Sequence, residues 1–289
     1  MNRNLTLGLL AALAAALIGS GWQIASRHGV TTTLGPLELA LLRYGIPALV
    51  LLPLLLKTGL LPPGLPRCQL GLLVLGGGLP FGLLVLAGAQ WAPAAHMGVF
   101  VAGSVPLFTA LGARLAWGER ISGWRLAGLL LIVAGMGVFG VGNVAGSALA
   151  WRGDLLFVLA ALLWAVYTLV FRRSGLTPWQ GVAVINAWSV LLLLPVLLLW
   201  GAPRLLTAPW TDVVFQALGQ GVVAGLLGLV TYMVAIARLG ASRASLSAAL
   251  VPLSTALGAA WLLGEPLGAG TLVASALVAA GVALVAVSR

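Results

Sequence analysis

Residues 105–119 (VPLFTALGARLAWGE) and 251–265 (VPLSTALGAAWLLGE) agree at ten of fifteen positions across an offset of 146 residues. The same offset lays Ala134-Gly135 on Ala280-Gly281, and Arg27-His28-Gly29 on Arg173-Ser174-Gly175. One shift therefore relates most of residues 5–142 to most of 151–288. A chain made of two copies of one unit has to pack those copies against each other, which leaves few architectures open. The medium narrows them further. The sequence is 61% hydrophobic and 7% charged, against about 25% charged in soluble domains. An internal duplication in so apolar a chain points to the architecture of membrane transporters.

A spanning helix takes roughly 20 mainly apolar residues. Apolar runs bounded by charge, Pro or Gly fall at 5–26, 36–56, 69–91, 97–117, 124–142, 154–171, 178–200, 213–237, 243–263 and 267–287. The pattern predicts an all-α membrane protein of ten transmembrane helices, built as two five-helix repeats, 1–145 and 146–289. The first run follows Arg3 as a signal sequence would, but it matches the sixth run and lacks an Ala-x-Ala site before Arg27, so it reads as an uncleaved span. With the N-terminus inside, Arg3, Lys57, Arg67, Arg114, Arg120, Arg125, Arg172, Arg173, Arg238, Arg243 and Arg289 fall on the cytoplasmic side. Only Arg27, Arg152 and Arg204 fall outside, as the positive-inside rule requires. Both termini are then cytoplasmic. Five is odd, so the second repeat enters the membrane inverted, the arrangement that lets two faces open alternately around a midplane site.

The net charge of +10 is spread singly or in pairs between apolar runs, which suits orientation in a bilayer and not a nucleic-acid face. Cys68 is the only cysteine, and His28 and His96 lie in no metal-ligand spacing, so neither metal nor cofactor is expected. No Gly-x-x-x-x-Gly-Lys-Ser/Thr loop occurs and Lys57 is the only lysine, which excludes ATP as the direct energy source.

Pro106 and Pro252 stand near the centres of the fourth and ninth runs, where each should kink its helix. The third run carries Gly76-Gly77-Gly78 and Pro80, and the eighth carries Gly219, Gly221, Gly225 and Gly228. Interruptions at matching places in two halves point to a transport path; the alternative is that they only permit close packing. The first run holds Ser20 and Trp22, and its partner holds Trp164 and Tyr167. Trp164 lies near mid-membrane, too deep for an aromatic belt, so it and Tyr167 are expected to line a cavity; Trp22 could belong to a belt. Further cavity candidates are Tyr232, Gln216, Gln220, Ser104 and Ser254, although a membrane serine commonly bonds back to its own helix. Arg43 is the one basic residue well inside a run, as a structural tie to Glu38 or another group, or as a contact for a substrate carboxylate. Glu119 and Glu265 are expected to fix the loops that follow them. Asp154 and Asp212 are expected to cap helices. Gly128, Gly135 and Gly142, with Ala274, Gly281 and Ser288 opposite in the repeat, form small-residue stripes suited to packing within the chain or to a dimer face.

The repeated Pro106…Gly118-Glu119 and Pro252…Gly264-Glu265 runs, each followed by a Gly-rich span and preceded by Ala94-Ala95 or Gly240-Ala241, resemble the paired EamA-type repeats of the drug/metabolite transporter superfamily. Within it the chain is most similar to the YddG-type exporters of aromatic and other amino acids. The resemblance covers nearly the whole chain and implies ten helices, cytoplasmic termini and a central cavity; Arg43 matches an arginine often found in the second helix. The expectation is a secondary transporter that exports small organic solutes, most of all amino acids, across a bacterial inner membrane as a monomer. An exporter of drugs or other metabolites is the alternative, though cationic drugs call for an embedded carboxylate and the first run has none. An intramembrane protease would need paired aspartates or a His-Glu-x-x-His helix, and a channel would need a filter motif; neither is present.

Overall fold

A computed structural model describes residues 3–143, 149–239 and 246–287. Gly240, Ala241, Arg243, Ser288 and Arg289 lie outside the described residues. All described secondary structure is helical. The first half holds α1 (Arg3–Thr31), α2 (Pro36–Val50), α3 (Leu52–Thr58), α4 (Arg67–Gly77), α5 (Leu79–Trp91), α6 (Ala94–Trp117) and α7 (Gly123–Asn143). The second holds α8 (Ala150–Phe171), α9 (Pro178–Trp200), α10 (Pro203–Thr207), α11 (Trp210–Gln216), a π-helical segment (Ala217–Leu227) and α12 (Gly228–Leu239). A 3-10 turn (Leu246–Leu250), α13 (Val251–Leu263) and α14 (Ala269–Val287) complete it.

Eight helices among the described residues are long and apolar enough to cross a membrane, or nine if α2 and α3 form one bent span. Ser247–Leu263 is a shorter apolar helix. Large apolar side chains such as Leu115, Leu198 and Trp261 are more than three quarters exposed, an arrangement suited to hydrocarbon and not to water.

The expected continuous span at 36–56 is in fact bent by 68° between α2 and α3. Pro53, second in α3, has no N–H to offer the preceding turn and clashes with it, which places the bend at Leu51. The third span breaks at Gly78 (φ −103°, ψ −147°), between α4 and α5. Inside a bilayer the backbone groups freed by a break need partners. Here Tyr44 Oη donates to Gly78 O (2.7 Å), and Leu79 N donates to Ser189 Oγ (3.0 Å). At the matching place in the second half, residues 217–227 form the π-helical segment. The two prolines differ as well. Pro106 sits inside the uninterrupted α6, whereas Pro252 is in the first turn of α13, directly after the 3-10 turn.

The small-residue stripes bring α7 against α14. A Cβ built on Gly281 would sit 2.6 Å from Gly128 O, and one on Gly135 would sit 2.9 Å from Ala274 O. These faces are therefore spent on packing within the chain. Gly281→Val should lower stability by about 1–3 kcal/mol through overpacking, read as a drop in melting temperature. Gly137→Ala, where an added Cβ meets nothing within 4 Å, should not lower it; equal losses at both positions would show that the contact is unimportant.

Candidate functional site

Trp22 and Ser26 lie one turn apart on α1, and Gln216 and Gln220 are likewise four residues apart, at the end of α11 and in the π-helical segment. That spacing puts each pair on one helix face, and the two faces meet. Trp22 Nε1 donates to Gln220 Oε1 (2.9 Å), and Gln220 Nε2 donates to Ser26 Oγ (3.0 Å) and Gln216 Oε1 (3.2 Å). Gln216 Nε2 donates to Ala25 O (2.8 Å). Both glutamines are buried. Gly221 and Gly225 let α2 approach the π-helical segment, since a Cβ on either would crowd Ile46 or Pro47 of α2.

Arg43 of α2 lies against this network. Its Cζ is 4.3 Å from the Trp22 ring centroid and 5.8 Å from that of Tyr44, close enough for cation–π attraction. Its Nε and Nη1 are buried and have no hydrogen-bond partner. The tie to Glu38 is not formed: Glu38 Oε2 accepts from Gly35 N (3.1 Å) and caps its own helix.

From Trp22 a file of rings leads through the fold. Phe81 of α5 lies 6.4 Å from Trp22 and 4.7 Å from Trp164; Trp164 is 5.0 Å from Tyr167, which is 5.6 Å from Phe171. Gly77 makes room for Tyr167, whose ring would be 2.9 Å from a Cβ there. Phe81 joins the two tryptophans, yet in the sequence it is one apolar residue among many; its place directly after Gly78-Leu79-Pro80 is the only hint of its role.

Other candidates lie apart from this file. Ser20 and Ser254 pair across α1 and α13 at 2.6 Å, and each also bonds the carbonyl one turn back, Ala16 O and Leu250 O. Beside them Thr255 Oγ1 donates to Gln23 Oε1 (2.9 Å). Ser104 faces Met136 Sδ of α7 (3.8 Å), and Tyr232 is exposed on α12. Pro80 stands in the first turn of α5, next to the break.

The two ends of α6 carry ion pairs to other helices. Gly118 and Gly264, equivalent in the repeat, both adopt left-handed conformations (φ 68° and 67°) and end their helices. Each is followed by a glutamate that reaches across the fold instead of into its own loop. Glu265 accepts from Ala94 N through both oxygens (3.1 and 2.9 Å) and from Arg27 Nε (3.2 Å), joining α13 to the first turn of α6 and to α1. Glu119, past the other end of α6, pairs with Arg172 after α8 (3.3 Å). By the offset, Glu119 corresponds to Glu265, and Arg27 to Arg173, neighbour of Arg172. Asp154 does not cap α8, whose N-cap is Leu149; it meets His96 Nδ1 at 2.7 Å, with Phe139 edge-on to the imidazole. Asp212 lies in the first turn of α11 without a side-chain cap.

A bundle of apolar helices with a polar, aromatic cluster buried inside it is the construction of a multi-pass membrane transporter. The chain belongs to the EamA-like transporter family, whose sequence profile matches it twice, at residues 6–141 and 151–287. The family consists of transporters, not enzymes. Protein PA1977 of Pseudomonas aeruginosa, itself uncharacterized, is 34% identical over 183 residues. That match spans 63% of this chain and 61% of the relative. A crystal structure of a protein superposes with a TM-score of 0.64, covering 96% of this chain and 95% of its own at 24% identity, a likeness of fold.

Proposed function

We propose that the chain is a secondary transporter of the YddG type that exports amino acids, aromatic ones above all, across the bacterial inner membrane. The observation that carries this reading is Arg43: a guanidinium with two buried, unpaired donors, stacked on Trp22, with neutral amides beside it. A carboxylate supplies what those donors lack, and a planar substituent suits the rings of Trp22, Phe81 and Trp164. The same cluster, with Tyr167 and Gln220, forms the substrate site; Ser20 and Ser254 flank it.

In this reading residues 1–145 and 146–289 are inverted five-helix repeats, the bent α2–α3 pair counts as one span, and the segment ending in α13 as another, which brings the count to ten. Alternating access in this reading opens in turn the two cross-repeat clamps at opposite ends of α6, Glu265–Arg27 and Glu119–Arg172. The Arg67 end of α4 is cytoplasmic, as are both termini. Exposed Cys68 should therefore escape impermeant thiol reagents on intact cells, and a cysteine at Thr207 should react; the reverse pattern would overturn the orientation.

The decisive experiment is efflux from proteoliposomes loaded with labelled aromatic amino acid. Unlabelled amino acids should compete, and the corresponding decarboxylated amines should not. Equal competition by the amines would remove the carboxylate from recognition and favour a drug exporter instead.

A further inference from the structure

Where α4 and α5 of the first half meet α9 of the second, a groove of about 480 Å³ opens on the surface. It is apolar from Leu70 to Pro80, and Trp188 and Leu192 wall it on the α9 side. Arg67 stands at one end. At 1.5 Å per residue, Arg67 to Pro80 is about 20 Å of helix, enough to reach from the headgroups through a leaflet of about 15 Å. We propose that this groove binds an anionic phospholipid, with one acyl chain along α4 and its phosphate at Arg67. The proposal requires only that the chain spans a membrane and is independent of the substrate reading.

Three observations favour a lipid over another protein surface. The groove opens where Leu75 and Leu192 are more than two fifths exposed, on the side that meets hydrocarbon. Trp188 Nε1 is already bonded to Leu60 O (2.8 Å), so its ring is a fixed wall with no donor to spare. The space is built in at Gly71, where an added Cβ would meet nothing within 4 Å.

Charge selects the headgroup. Arg67 is exposed, and among the described residues no carboxylate lies within ion-pair distance of it. The same end of the bundle carries Arg172 and Arg173, both over the Trp117 ring, and the one acid there, Glu119, is taken by Arg172. A basic rim of this kind favours anionic lipid. A smaller groove of about 300 Å³, walled mainly by α6 and α8, includes Arg173 in its lining.

Native mass spectrometry of the purified full-length chain, titrated with phosphatidylglycerol or with phosphatidylcholine of identical acyl chains, tests the site. Wild type should retain phosphatidylglycerol at least tenfold more tightly. Arg67→Gln should reduce that retention to the phosphatidylcholine level, and Gly71→Phe should weaken retention of both lipids with the melting temperature preserved. Equal retention of the two lipids by wild type, or an undiminished preference in Arg67→Gln, overturns the proposal whether or not Gly71→Phe folds. A dimer lost on Gly71→Phe would assign the groove to a second copy of the chain and would equally overturn it.

Discussion

Glu265→Gln should open the Ala94 end of α6 far more readily than Glu119→Gln opens the other end. Glu265 and Arg27 are 12% and 21% exposed in their side chains, and Glu265 also holds the first backbone N–H of α6 through both oxygens. The amide keeps one acceptor but loses the charge, and its NH2 must face a donor, either Ala94 N–H or Arg27. Hydrogen bonds to charged groups contribute about 1.5–3 kcal/mol each when shielded from water. A net loss of about 2 kcal/mol would shift the closed-to-open ratio about thirtyfold. Glu119 and Arg172 are 36% and 53% exposed with one contact at 3.3 Å, and such pairs contribute less than about 1 kcal/mol. Thiol reactivity of single cysteines placed at each end of α6 measures both. Equal changes at the two ends would show that the clamps do not differ, and no change at either would show that they do not hold the ends.

On the proposed reading of the chain as an amino-acid exporter, Arg43→Gln should abolish most efflux while leaving the protein as stable as before. A bidentate, charge-assisted contact to carboxylate contributes about 3 kcal/mol when desolvated, equivalent to roughly a hundredfold in affinity. Arg43→Lys should restore little, because an ammonium cannot present two parallel donors or lie flat on Trp22. The stability arm separates recognition from a structural tie. Nε and Nη1 bond nothing within the fold, so removing the charge relieves a desolvation cost that offsets the lost stacking on Trp22 and the lost contact with Tyr44. A fall in melting temperature of many degrees would make Arg43 a structural tie. Unchanged efflux would remove it from the site.

Most spans were legible because twenty apolar residues between charges permit little but a crossing helix, and the offset of 146 makes each run vouch for its partner. The interior was legible only in part. Trp22, Trp164, Tyr167 and Gln220 could be singled out because their polar or aromatic groups are conspicuous in an apolar helix, but Phe81, which joins them, carries no such mark. His96 and Asp154 are 58 residues apart with nothing between them to link them. Glu119 and Glu265 were conspicuous by recurrence, yet their partners lie on other helices, which no local pattern encodes. The prolines show the limit best. Both stand in the sequence Val-Pro-Leu-x-Thr-Ala-Leu-Gly-Ala, yet one lies inside an α-helix and the other follows a 3-10 turn made of Leu246-Ser-Ala-Ala-Leu250. That stretch suits an α-helix well enough by propensity, so no local pattern announces its tighter winding.

The backbone contact between α7 and α14 also has a mechanical consequence. Where Gly128 and Gly281 meet, each peptide occupies the notch the other leaves, and Val285 and Ile132 stand directly beside those notches. Even a small slip along the axis would drive a branched side chain into a peptide. The two helices are thus keyed together like a shaft in its slot, and the closing helix of each half is bound to that of the other.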